Sequence, residues 1–186
     1  MEKRRLSPSL RACLKRETAK RHGRLDSALA GLTLGDRADY AHFLHFQLAA
    51  RAPIERWVAR HCDAALRPPE TVPLLLADLE RLGAGDGWGE APFDPPPGAH
   101  PLGLAWAIAG SHLGNRAQLA HLVRSGAVLP TAFLSDLRMI DFWARLRPAI
   151  DAPADDALLA GALAAAEAVF ACFTDALSAA PDRIAA

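Results

Sequence analysis

The chain has 186 residues and a mass of 19.9 kDa, and its 21 Lys and Arg balance 21 Asp and Glu. Hydrophobic residues make up 51% and include 40 alanines, with only 6% aromatics, and Gly (13) and Pro (14) are near ordinary usage. Collagen-like, disordered and disulfide-scaffold classes are excluded, and an all-α chain folding as one domain over residues 1–186 is expected, with flexible ends at 1–8 and 181–186.

Ser9 is a predicted N-cap for a first helix running to about Ala30, on which Leu10, Leu14, Thr18, His22, Leu25 and Leu29 recur at spacings of three and four. A turn over Gly31–Gly35 follows. Asp36 is placed to cap a second helix to about Leu66, carrying Phe43, Phe46, Leu48, Ile54 and Trp57, bent at Pro53 and stopped by Pro68 and Pro69. Thr71 and Pro73 open a third helix through Leu82, ended by Gly83. The proline- and glycine-rich run from Ala84 to His100 predicts a long surface loop. A fourth helix is expected over 102–123, then a turn at Gly126–Pro130 and a short helical piece at Thr131–Leu134. A helix from about Asp136 to Leu146 and a last one from Asp155 to Ala179 bring the total to about seven.

The apolar stretch Ala157–Cys172 is interrupted by Glu167 and reads as too short to span a bilayer. The start MEKRRLSPSL lacks the apolar run of a secretory signal, and Cys13, Cys62 and Cys172 are odd in number and scattered. These features point to the cytoplasm and to no membrane partner. Charge is unevenly placed: residues 1–24 hold nine Lys or Arg (Lys3, Arg4, Arg5, Arg11, Lys15, Arg16, Lys20, Arg21, Arg24) against Glu2 and Glu17. The first helix therefore presents a basic face, either simply solvated or turned to anions and acidic partners. No aromatic platform or nucleic-acid motif accompanies that charge, so nucleic acid is not an expected partner.

Two features break the helical pattern. In Gly110-Ser111-His112-Leu113-Gly114, two glycines sit inside a helix, where each costs about 1 kcal/mol relative to Ala. Their i, i+4 spacing strips one face of side chains, which suits close packing of another helix or close approach of a ligand, and Gly with Ser is a place where helices kink. His112 points about 200° from Gly110 and is expected to face outward. The second feature is His22, on the apolar stripe of the first helix. Asp26, one turn on, is placed to hold one ring nitrogen and fix the tautomer. Lys15, about two turns earlier on the same side, is placed to meet a ligand carboxylate; a core histidine with a satisfied ring is the alternative. Asp39, His42 and His45 supply one DxxH motif where a di-iron bundle needs paired motifs. The cysteines lack a recognisable base nearby and read as small buried hydrophobes.

The segments LKRETAKRHGRLDSAL and GLAWAIAGSHLGNRAQL resemble the bacterial biliverdin-producing heme oxygenases, especially the phytochrome-associated type. Leu14, Thr18, His22 and Asp26 fill that family's L-x-x-x-T-x-x-x-H-x-x-x-E/D pattern. Gly110, Ser111, Leu113 and Gly114 fill its G-S-x-L-G motif, and Phe133-Leu134 and Trp143 follow in order, so the likeness covers about residues 10 to 178. The resemblance implies a heme-oxygenase-like helical bundle with the pocket between the first helix and a kinked fourth helix. It implies His22 as the proximal iron ligand, supported by Thr18 and Asp26, and Gly110, Ser111 and Gly114 as the catalytic distal wall. Lys15 and Arg145, or Arg147, would meet the heme propionates. Heme would be both cofactor and substrate, cleaved to biliverdin, carbon monoxide and ferrous iron with O2. Nothing in the chain resembles a flavin or nicotinamide site, so electrons would come from a separate reductase or ferredoxin; the basic first helix would either dock that donor or serve the propionates, and the biliverdin would go to a bacteriophytochrome or the iron to acquisition. The chain departs from the family pattern at Asn115, Ala109 and Trp106. These departures leave a second expectation open: a heme-binding, sensing or interaction module on the same fold that does not turn heme over.

Overall fold

Helix α1, Leu10–Leu29, begins where the sequence places its cap, with the Ser9 hydroxyl accepting from the Ala12 N–H at 3.3 Å. The computed structural model describes residues 8–85 and 89–178, and among these the chain is all-α. The chain ends 1–7 and 181–186, the basic residues Lys3, Arg4 and Arg5, and the expected last helical residue Ala179 lie outside the described residues. α2, Arg37–His61, is capped by Asp36, whose carboxylate accepts from the Ala38 and Asp39 amides, and continues as helix through Pro53. It ends earlier than the expected Leu66. Cys62 is extended, 64–66 form a single 3-10 turn, and the Arg67 guanidinium donates to the carbonyls of Ala59 and Cys62 that the helix end leaves open.

α3, Val72–Arg81, starts after Thr71, but its first amides are met by another helix: Glu55 of α2 accepts from the Thr71 N–H and hydroxyl and from the Val72 N–H. Gly83, at φ 61°, follows the helix in the left-handed conformation. The described part of the loop before α4 is irregular and is fastened to α2 by the Ala91 N–H to Ala49 carbonyl bond and by the Arg56–Glu90 ion pair. α4, Pro101–Ser125, runs as continuous helix through Gly110 and Gly114 and ends at Gly126 in the left-handed region. α5 spans Arg138–Asp151, through Pro148 and five residues beyond the expected end, and α6 spans Asp156–Ser178.

The helix count is six, not about seven. The expected helical piece at Thr131–Leu134 is a turn, because the buried Asp78 carboxylate of α3 accepts from the Ala132 and Phe133 amides, at 2.9 Å each. Those N–H groups therefore bond across the fold and not along a helix. The expectation for the last apolar stretch also changes. α6 is 23 residues long and, by length and composition, apolar enough to cross a bilayer, since the single Glu167 does not divide it.

In this fold α6 serves as a core helix touching α1, α2 and α4. Its small buried residues Ala162, Ala165, Ala166 and Ala176 let three neighbours approach one helix. The closest approach is at Gly103 of α4, where an added Cβ would lie 1.8 Å from the Ala162 carbonyl oxygen. α1 packs on α5 and α6, its start pinned by the Leu10 N–H to Ala152 carbonyl bond at 2.9 Å, while α2 packs on α3 and α6. α1 and α4 are thus both anchored on α6, with a gap between them.

Candidate functional site

The gap between α1 and α4 is a cavity of about 930 Å³. That lies in the upper part of the range of about 300–1,000 Å³ typical of ligand and cofactor sites. α1 contributes Lys15, Thr18, His22 and Asp26, α4 contributes Trp106, Gly110 and Ser111, and Trp143 of α5 and Phe170 of α6 close the remaining sides. A smaller cavity of about 250 Å³ shares His22, Gly110 and Ser111 and reaches Gly114, Phe43, Phe46 and Gln47.

Geometry decides between the two readings of the glycines. A Cβ added at Gly110 or Gly114 would meet nothing within 4 Å, so no helix packs on this bare face, which instead opens onto the two cavities. The helix-contact role belongs to Gly103, near the start of α4, whose missing Cβ is what admits Ala162.

His22 is not a core histidine, because its side chain is 60% exposed toward the cavity. Nδ1 lies 2.7 Å from Asp26 Oδ2, and the ring meets Phe170 edge-on at 6.1 Å between centroids. With Nδ1–H donated to the carboxylate, Nε2 is the nitrogen left to ligate. Thr18, one turn earlier, is buried and donates its hydroxyl to the Leu14 carbonyl at 2.8 Å, so it shapes the cavity floor. Lys15 lines the cavity together with two cations that the sequence did not single out for ligand binding, Arg11 and Arg16. Arg11 is paired with Asp151 at 2.7 Å and Arg16 with Glu17 at 2.8 Å. Arg145 does not join them: its guanidinium lies over Phe142 at 5.9 Å, outside the cavity lining, and Arg147 pairs with Asp151.

His112 points away from the glycine face, as helical geometry requires, but not outward to solvent. It is 2% exposed, with Nε2 3.1 Å from the Asp136 carbonyl and Nδ1 3.1 Å from the Asn115 amide nitrogen, against the edge of Phe133. The amide donates to Nδ1 and the ring donates from Nε2, which describes a neutral imidazole. Burial, with the nearby Arg51 charge, holds its pKa below the ordinary histidine value. All three cysteines are buried and free; burial pushes the Cys172 thiol up to about 12, which keeps it protonated and unreactive.

Comparisons of the chain with models of known protein families, with curated proteins and with solved structures find no match.

Sequence reasoning missed the polar groups behind the α4 wall. Arg51 of α2 is 1% exposed and donates from Nε to Gln47 Oε1 at 2.9 Å and from Nη2 to Ser111 Oγ at 3.1 Å. Its guanidinium lies 5.2 Å from the Phe133 ring centre and 5.8 Å from that of Phe173. Burial pulls its pKa down to about 10, so it remains a cation at neutral pH. The one available signal was an arginine set in an otherwise apolar stretch, LAARAPI. The site as a whole offers an aromatic and apolar slot, cations along one helix, a single imidazole nitrogen and a side-chain-free helix face. That combination suits a broad planar anionic ligand carrying a metal at its centre, and the residues present fit heme.

Proposed function

We propose that this chain adopts a heme-oxygenase-like fold and cleaves heme oxidatively to biliverdin, carbon monoxide and ferrous iron. The observation that carries the reading is the placement of His22. Its Nδ1 is fixed by Asp26 and its Nε2 is left for a metal, in a cavity of about 930 Å³ whose other wall is the bare Gly110 face. Heme supplies both the oxygen-activating iron and the porphyrin that is consumed, with O2 and electrons from a separate reductase or ferredoxin.

Within that chemistry the chain's own groups have separable tasks. Asp26 holds the His22 ring so that Nε2 faces the ligand as a neutral imidazole, a weaker electron donor than thiolate. Gly110 and Gly114, free of side chains, would let the α4 backbone come close to the ligand face turned away from His22. The Ser111 hydroxyl, which now donates to the Ile108 carbonyl at 2.9 Å, can turn toward a bound acceptor or an ordered water. Lys15, with Arg11 and Arg16, provides charge for the propionates, and the remaining basic surface of α1 is where an acidic electron donor would dock. A cytoplasmic site of action and delivery of biliverdin to a bacteriophytochrome belong to the same reading.

The test is a hemin titration of the unsubstituted protein and His22→Ala, followed by visible spectra after a ferredoxin reductase system is added in air. Decay of the Soret band with growth of a red biliverdin band, abolished or much slowed in His22→Ala, is the expected outcome. A saturable Soret band that persists under these conditions makes the chain a heme-binding module without turnover. Absence of saturable binding rejects the heme reading altogether.

A further inference from the structure

Arg51 can only donate hydrogen bonds, and two of its partners line the cavities. It occupies Gln47 Oε1, which fixes the orientation of that amide and leaves the NH2 end as the group able to donate into the smaller cavity. It also occupies a lone pair of Ser111 Oγ, whose O–H is donated to the Ile108 carbonyl and reaches a ligand only by turning from it. Among the described residues no carboxylate lies within ion-pair distance of Arg51. Glu55, one turn along α2, attracts it through space, but its oxygens are engaged by Thr71 and Val72. A buried charge offset in this way leaves a positive potential at its surroundings, and the low local dielectric strengthens it.

We infer that Arg51, acting through Gln47 and Ser111, makes the α4 side of the pocket a hydrogen-bond-donating, cationic subsite for a small anion. This inference rests on the heme reading, since the anion would be held at the iron on the side opposite His22. Arg51 is a positioning residue: it touches no ligand, sets which atoms of Gln47 and Ser111 face the cavity, and adds its charge from behind them.

Azide titration of the ferric, hemin-loaded full chain, with the midpoint potential measured on the same samples, tests this in three variants. Gln47→Glu keeps Arg51 in place, pairs its charge with a carboxylate and replaces the donor NH2 with an acceptor oxygen, so the variant has every reason to fold. Azide affinity is expected to fall about tenfold in Gln47→Glu and in Arg51→Met, and less in Arg51→Lys, which retains charge without the fork. The midpoint potential should rise or fall with the same charge: neutralising it favours the ferric state, and a tenfold shift in that balance is about 59 mV for one electron. Gln47→Glu should still bind hemin saturably, because His22 and the basic rim are untouched. Azide affinity and potential equal to those of the unsubstituted protein in Gln47→Glu overturn the inference while leaving the heme reading intact. Failure of the unsubstituted protein to bind hemin saturably rejects the heme reading and the inference with it.

Discussion

Gly110 and Gly114 weaken α4 without serving its packing, whereas Gly103 is required by it. At the first two positions an added methyl meets nothing within 4 Å, and both φ values are helical, so Gly→Ala recovers helix propensity worth about 1 kcal/mol each. Gly110→Ala and Gly114→Ala are therefore expected to raise the stability of the ligand-free protein in urea unfolding while weakening hemin binding and slowing biliverdin formation. Gly103→Ala should do the opposite to stability, losing about 3 kcal/mol or more, because the methyl would collide with the Ala162 backbone. Equal destabilisation at all three positions would return Gly110 and Gly114 to ordinary packing. At this scale the His22–Asp26 pair was legible, since i, i+4 spacing alone brings two side chains together on a helix. Arg51 was not, because of its bonds only that to Gln47 is local, while that to Ser111 spans 60 positions.

Between elements, polar side chains decide where helices stop and how they are joined. The caps at Ser9 and Asp36 could be read from sequence because their bonds are local. The turn held by Asp78 and the α3 start held by Glu55 could not, as both carboxylates come from other elements. His112 belongs to the second kind: helical angle gave its direction, but only tertiary structure shows that the chain leading into α5 lies there. Its neutral ring ties α4 to the Asp136 carbonyl just before that helix. Because its folded pKa lies below the ordinary value, the unfolded chain binds the proton first as pH falls. The stability it contributes is complete above its unfolded pKa of about 6.5 and declines as pH drops toward the folded pKa. His45, also buried and lowered, adds to the same slope. Urea midpoints measured at about pH 7.5 and pH 5.5 should therefore fall on acidification, and fall less in His112→Gln, which cannot take up the proton. An unchanged slope in that variant would assign the acid sensitivity elsewhere.

For the molecule as a whole, the all-helical class followed from alanine content and the absence of strand patterning, but the cavity did not, because it is a property of how α1 and α4 both lean on α6. α1 packs chiefly on α5 and α6, and the cavity separates it from α4. The Arg21–Glu167 pair at 3.2 Å joins it to α6, but both side chains are over a third exposed, so that link is weak. A ligand that fills the gap therefore acts as the missing layer between the two helices, and its binding energy adds directly to folding. At a hemin concentration 100 times Kd the linkage is about 2.7 kcal/mol, which for a chain of this size raises Tm by about 5–10 °C. The increase should be lost in His22→Ala and accompanied by slowed amide exchange concentrated in α1 and the Gly110–Gly114 segment of α4. Protection confined to α2 and α3, or a Tm gain independent of His22, would place the ligand outside this cavity.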